Sequence, residues 1–248
     1  MPLKVVILGG TKGMGRAVAR RLVARGDRVH LLGRDSEELS RCAADLQARM
    51  PTPSAVSYSI CDLERPETFA STVVDASTAL GGFDTVVITA ALFATQARLE
   101  TDREFAQRLL TVNFAHTILL CEHFRDYLLG RGGGTLCVFS SVAGERARKP
   151  VVLYGASKAG LSAYLEGLDH KFRSAGLRTV CVKPGFVRTA MTEGLPEPPF
   201  ATDPDNVAAT VVRAIDRGTP VVYAPPIWAL VMLVIRWLPR AAMRRLRF

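Results

Sequence analysis

The chain has 248 residues, enough for one well-buried α/β domain, and 48% of them are hydrophobic, a globular proportion. A formal net charge of +9 raises the question of nucleic acid, yet Arg236, Arg240, Arg244, Arg245 and Arg247 place five of those charges in the last thirteen residues. Residues 1–235 hold 27 basic and 23 acidic side chains with no recognition helix or aromatic-basic motif, so no nucleic-acid partner is expected.

Short Val/Ile/Leu runs predict strands at 4–8, 28–32, 55–60, 85–88, 134–139, 179–182 and 221–223. Helical patterns fall near 16–25, 36–49, 66–79, 101–129, 151–175 and 204–216. Strand–helix alternation at this spacing predicts an α/β, doubly wound parallel sheet with helices on both faces. Continuous apolar strands agree, because a sheet covered on both faces needs no polar side. The five cysteines (Cys42, Cys61, Cys121, Cys137 and Cys181) are widely spaced, with no Cys-x-x-Cys. They read as buried reduced thiols of a cytoplasmic protein, and no metal is expected. Residues 2–8 are too short for the apolar part of a secretory signal and run directly into a glycine turn.

That turn, Gly9-Gly10-Thr11-Lys12-Gly13-Met14-Gly15, follows the first strand and opens the first helix. Its glycines let the backbone approach a pyrophosphate, and the helix N-terminus offers free N–H groups to the anion. An acidic residue ending the second strand would bind the ribose of NAD. Gly33 and Arg34 stand there instead. A small residue leaves room for a 2′-phosphate and a guanidinium can grip it, which points to NADP(H). Lys12 would add a second charge. Asp35 is a rival ribose ligand, but it also reads as the N-cap of the next helix, with Glu38 reaching back. Asp62-Leu63, after the third strand, would set a carboxylate beside the adenine, or else form a turn.

Tyr154 and Lys158 lie one helical turn apart on the same face. A phenol titrates near pH 10, and a neighbouring cation lowers that value. Such a pair is a proton-transfer device.

These motifs together resemble the short-chain dehydrogenase/reductase family, whose fold is of the Rossmann type, over residues 3–225. The resemblance rests on Gly9-x-x-x-Gly13-x-Gly15, Asp62-Leu63, Val112-Asn113, Ser140-Ser141-Val142-Ala143-Gly144, Tyr154-x-x-x-Lys158 and Pro184-Gly185-x-Val187-x-Thr189. It implies that Ser141, with Ser140 as the competing choice, bonds a substrate carbonyl. Tyr154 would exchange the proton. Lys158 would lower its pKa and hold the nicotinamide ribose. Asn113 would hold a water linking Lys158 to solvent. Pro184, Gly185, Val187 and Thr189 would fix the nicotinamide, and Ala90 and Ala91 would pack beside the coenzyme. The family also implies a homodimer or homotetramer. Two departures stand out: Leu8 replaces the threonine that usually begins the glycine turn, and Ile88-Thr89-Ala90-Ala91 replaces Asn-Asn-Ala-Gly. The first asparagine braces the sheet in the family, so that brace is expected to be missing.

The expected activity is NADPH-dependent reduction of a lipophilic carbonyl compound, or oxidation of the matching alcohol. Phe93, Phe186, Met191, Leu195 and Phe200 would flank the pocket. A dinucleotide-binding sensor without chemistry is the rival. Residues 145–149 carry three cations, which either attract an anionic substrate group or form a solvated loop. The loop at 193–204 is long enough to be functional. After the domain at 1–225, an extension at 226–248 begins with nine uncharged residues following Pro226. A membrane span needs about 20. The extension reads either as a helix lying at an anionic membrane surface or as one buried against the pocket or a second subunit. Pro239 should kink or split it.

Overall fold

The computed structural model describes residues 2–49 and 56–246. Ala55, which opens the third expected strand, and Arg247 of the tail lie outside the described residues. Seven parallel strands form one sheet in the order β3-β2-β1-β4-β5-β6-β7. They are β1 (Lys4–Leu8), β2 (Arg28–Gly33), β3 (Ser57–Ile60), β4 (Thr85–Ile88), β5 (Gly134–Phe139), β6 (Leu177–Pro184) and β7 (Val221–Ala224).

Side chains alternate between the two faces of each strand. Val5 and Ile7 of β1, with Val29 and Leu31 of β2, join a core formed with α1 (Gly13–Ala24), α2 (Ser36–Gln47) and α8 (Pro204–Arg217). Val6, Leu8 and Leu32 face the other way. They meet α3 (Phe69–Leu80), α6 (Thr117–Gly130) and α7 (Val152–Phe172). All five cysteines are buried and free in these layers.

The helix expected over 101–129 is divided. Short helices α4 (Gln96–Thr101) and α5 (Arg103–Leu110) lead into a π-helical turn, Thr111–His116, before α6. Asp102 separates the first two by capping α5, its carboxylate accepting from Phe105 N at 2.9 Å. The π turn coincides with Asn113, whose tertiary bonds are described below. The tail splits at Leu238-Pro239, as the proline predicts. It forms α9 (Ile227–Trp237) and α10 (Arg240–Arg245).

Candidate active site

Strand order reverses direction between β1 and β4, so the loops after these strands part and leave a crevice at their C-terminal ends. Gly9 has φ +86 and Gly13 φ +49, a region that disfavours side chains. A Cβ on Gly15 would lie 2.2 Å from Gly9 O, so the turn closes only without one. Behind it, Thr89 Oγ1 donates to Gly9 O at 3.0 Å and Leu8 O at 3.2 Å. Thr89 therefore ties β4 to β1, and the brace expected to be missing is supplied by a hydroxyl.

The crevice holds a cavity of about 330 Å³ lined by Gly9, Thr11, Lys12, Arg34, Asp62, Leu63, Ala90 and Ala91. Asp35 caps α2, accepting from Glu38 N at 3.0 Å. The Glu38 side chain does not reach back to complete a capping box. It pairs with Lys12 at 2.7 Å, inside the cavity wall. Arg34 is mostly exposed and lies 3.7 Å from Glu64, whose carboxyl Arg108 holds below its ordinary range by a 2.6 Å ion pair. Asp62 faces the cavity while its Oδ1 accepts from Glu64 N at 2.9 Å, the turn geometry the sequence allows. A glycine cradle and a helix start without acidic residues together fit the pyrophosphate of a dinucleotide.

The second half of the site hangs on β5 and α7. Gly144 and Gly155 have no room for a Cβ, which would sit 2.7 Å from Ala159 N and 2.8 Å from Ala143 O respectively. This close approach seats the loop after β5 directly on α7. Ser140 Oγ is buried and spent, donating to Lys158 O at 2.9 Å and bonded to Ser162 at 2.7 Å. Ser141 Oγ accepts from Ala143 N at 3.1 Å and lines the same cavity as Tyr154. Burial pushes the Tyr154 phenol up to about 12, with Ser141 opposing the rise. Lys158 is buried, its Nζ donating to Phe139 O at 2.8 Å and lying 5.9 Å from the centre of the Tyr154 ring. Burial pushes its ammonium down to about 8.

Asn113 is buried in the π turn, where its Oδ1 accepts from Leu92 N and its Nδ2 donates to Leu92 O, both at 2.7 Å. The amide thus clamps the segment bearing Ala90 and Ala91, and its side chain bonds to backbone rather than to Lys158.

A second cavity, about 260 Å³, contains Ser141 and Tyr154. Pro184 at the end of β6 lines it with Gly185, Val187 and Thr189 of the loop that follows, and Met14 lines it from the glycine turn. An added Cβ on Gly13 would lie 3.4 Å from Thr189 Cγ2, so the two loops meet at the junction of the cavities. Phe93 stands edge-on to Tyr154 at 5.1 Å, and Phe186, Met191 and Leu195 add apolar wall. Phe200 does not line this cavity. It is half exposed and packs edge-on to Trp228 at 6.4 Å. Arg148, from the cationic run at 145–149, and Trp228, from the C-terminal extension, also line the cavity. Gly185 makes room for the indole, since a Cβ there would lie 1.9 Å from Trp228 Nε1. Among the described residues, no cluster of His, Cys, Asp and Glu could hold a metal.

A family model described as short chain dehydrogenase matches residues 4–199. An uncharacterized oxidoreductase of Streptomyces coelicolor is 37% identical over 99% of this chain and 96% of its own length. Carbonyl reductase family member 4 of Xenopus tropicalis is 29% identical over 85% of this chain and 89% of its own. Among solved structures, a short-chain type dehydrogenase/reductase from Mycobacterium ulcerans superposes with TM-score 0.81 at 20% identity, covering 99% of this chain and all of that one. A short chain dehydrogenase from Shigella flexneri, complexed with NADP, has TM-score 0.78 at 23% identity, over 90% of this chain and 97% of its own.

Proposed function

The chain belongs to the short-chain dehydrogenase family of oxidoreductases, and on that premise we propose that it is an NADPH-dependent carbonyl reductase. The observation that carries this reading is that Ser141 and Tyr154 stand in the wall of one apolar cavity, which Met14 of the glycine turn and Thr189 also line. Ser141 holds the carbonyl oxygen and Tyr154 gives it a proton. The chemistry NADPH would supply when bound is hydride transfer to the carbonyl carbon. A phenol is protonated at neutral pH, as an acid must be. Arg34 and Lys12 bind the 2′-phosphate, and the NADP found in the Shigella neighbour agrees with that choice.

NADPH oxidation against a panel of ketones tests this reading. Tyr154→Phe should abolish turnover, and activity surviving the substitution would refute the mechanism. Arg34→Ala should weaken NADPH far more than NADH; equal losses would refute the phosphate assignment. NADPH binding without turnover of any ketone would favour a coenzyme sensor.

A second reading concerns location. No helix of the described residues is long and apolar enough to cross a membrane. The face of α9 bearing Leu230, Leu233, Val234 and Trp237 is nonetheless exposed, Trp237 at 81%, beside Arg236, Arg240, Arg244 and Arg245. Helices apolar all round are normally covered. A second copy related by two-fold symmetry would set this arginine cluster against itself. An anionic lipid surface supplies the opposite charge and a place for tryptophan. Co-sedimentation with phosphatidylglycerol vesicles, lost in Trp237→Ser, supports peripheral docking; no pelleting, or pelleting unchanged by that substitution, removes it.

A further inference from the structure

Arg148 sits in the wall of the substrate cavity with Ser141, Tyr154 and Trp228, and no carboxylate accompanies it. Its Nε is buried without a hydrogen-bond partner, and burial alone acts on its ionisation, pushing it down. The neighbouring acid is already committed, since Glu145 pairs with Lys183 and, at 3.3 Å, with Arg236. The other cations of the loop are also employed. Arg146 donates to Leu238 O at 2.7 Å and Lys149 to Arg244 O at 2.5 Å, tying the tail to the loop. Arg148 is therefore the one cation of this loop without a protein partner among the described residues. A buried charge is expensive unless paired, and groups left unpaired in a cleft mark binding sites. The Trp228 Nε1 is also without an acceptor, but it is packed against Gly185 and does not offer its N–H to the cavity.

On its other side, Arg148 borders a groove of about 430 Å³ whose rim adds Arg146, Lys149, Arg240 and Arg244 and no acid. A groove lined by one sign of charge concentrates the opposite ion. The geometry points to a substrate class, and this rests on the reductase reading. We propose that the reducible carbonyl compound carries an anionic group, a carboxylate or a phosphate, and that Arg148 binds that group. The apolar wall takes the chain between the anion and the carbonyl. Arg148 is thus a specificity residue, distinct from the proton transfer at Tyr154.

The test compares a medium-chain keto acid, the matching keto alkyl phosphate and the neutral methyl ester, with wild type, Arg148→Met and Arg148→Lys. Wild type should favour one or both anions over the ester. Arg148→Met should lower kcat/KM for the anions about a hundredfold, the worth of a charge-assisted bidentate contact. The loss should fall mainly on KM, and Arg148→Lys should restore part of it. Which anion is preferred separates carboxylate from phosphate. Calorimetric titration with a medium-chain hydroxy acid reads the same site without turnover. Arg148-dependent binding of that acid with no reduction of any ketone would uphold the anion site and refute the reductase reading. Turnover with no preference for an anion, or a preference that Arg148→Met leaves intact, would overturn the anion site and leave the reductase standing.

Discussion

Gly185→Ala is the sharpest probe of whether the C-terminal extension belongs to the pocket. The new Cβ would stand 1.9 Å from Trp228 Nε1 and 2.4 Å from its Cε2, inside any tolerable contact. The indole is wedged between Gly185 and Met232, a buried residue of the same small cluster, so it has little room to retreat. Overpacking of this kind costs about 1–3 kcal/mol. Trp228→Ala removes the ring and leaves a cavity, at about 3–5 kcal/mol. In that background the clash is gone. The backbone of Gly185 lies outside the left-handed region, so alanine there should be neutral or stabilising by about 0.4–1 kcal/mol. The double-mutant cycle should therefore show a coupling of about 1–3 kcal/mol between residues 43 positions apart. Urea unfolding of the four proteins measures it, and KM for a ketone, raised in Gly185→Ala, reports the reshaped wall. An equal cost of Gly185→Ala with and without the indole would refute the packing argument, and with it the place of α9 in the pocket.

Thr89→Val keeps the shape of the side chain and removes the donor to Gly9 O and Leu8 O. It should cost about 1 kcal/mol in urea unfolding and weaken NADPH in a fluorescence titration. Glu38→Gln frees Lys12 from its ion pair and removes a carboxylate from the cavity wall. It should tighten NADPH up to about fivefold, the range of an exposed pair, and leave NADH unchanged. His30 is buried between the hydroxyls of Ser57 and Ser59, and burial pushes it down to about 4. Between pH 6.5 and 4 the unfolded chain binds a proton that the folded chain refuses, so stability falls with acid through that window, by at most about 3 kcal/mol. Denaturant midpoints should show this loss in wild type and a flatter profile in His30→Gln.

What could be read from the sequence was what short-range physics decides. The glycine turn, the alternating strands and the turn-spaced Tyr154 and Lys158 each carry their meaning within a few residues. Three readings that failed were decided by partners far along the chain. The helix over 101–129 breaks into a π turn where Asn113 bonds both backbone groups of Leu92, 21 residues earlier. Propensity within the helix holds no record of that bond. The loss of the bracing asparagine does not leave the strands untied, because the Thr89 hydroxyl reaches Gly9 O, 80 residues earlier, and Leu8 O. Glu38 had two possible partners, a local backbone N–H and the Lys12 ammonium across the cavity, and the charged partner holds the side chain. The same reasoning separates Arg148 from its neighbours. In sequence, residues 145–149 are a run of charges that solvent alone would satisfy. In the fold, α9 and α10 take up Glu145, Arg146 and Lys149 one by one, and only the cation turned toward the substrate cavity is left unpaired. The tail thus gives partners to the rest of that loop and leaves Arg148 alone beside the cavity.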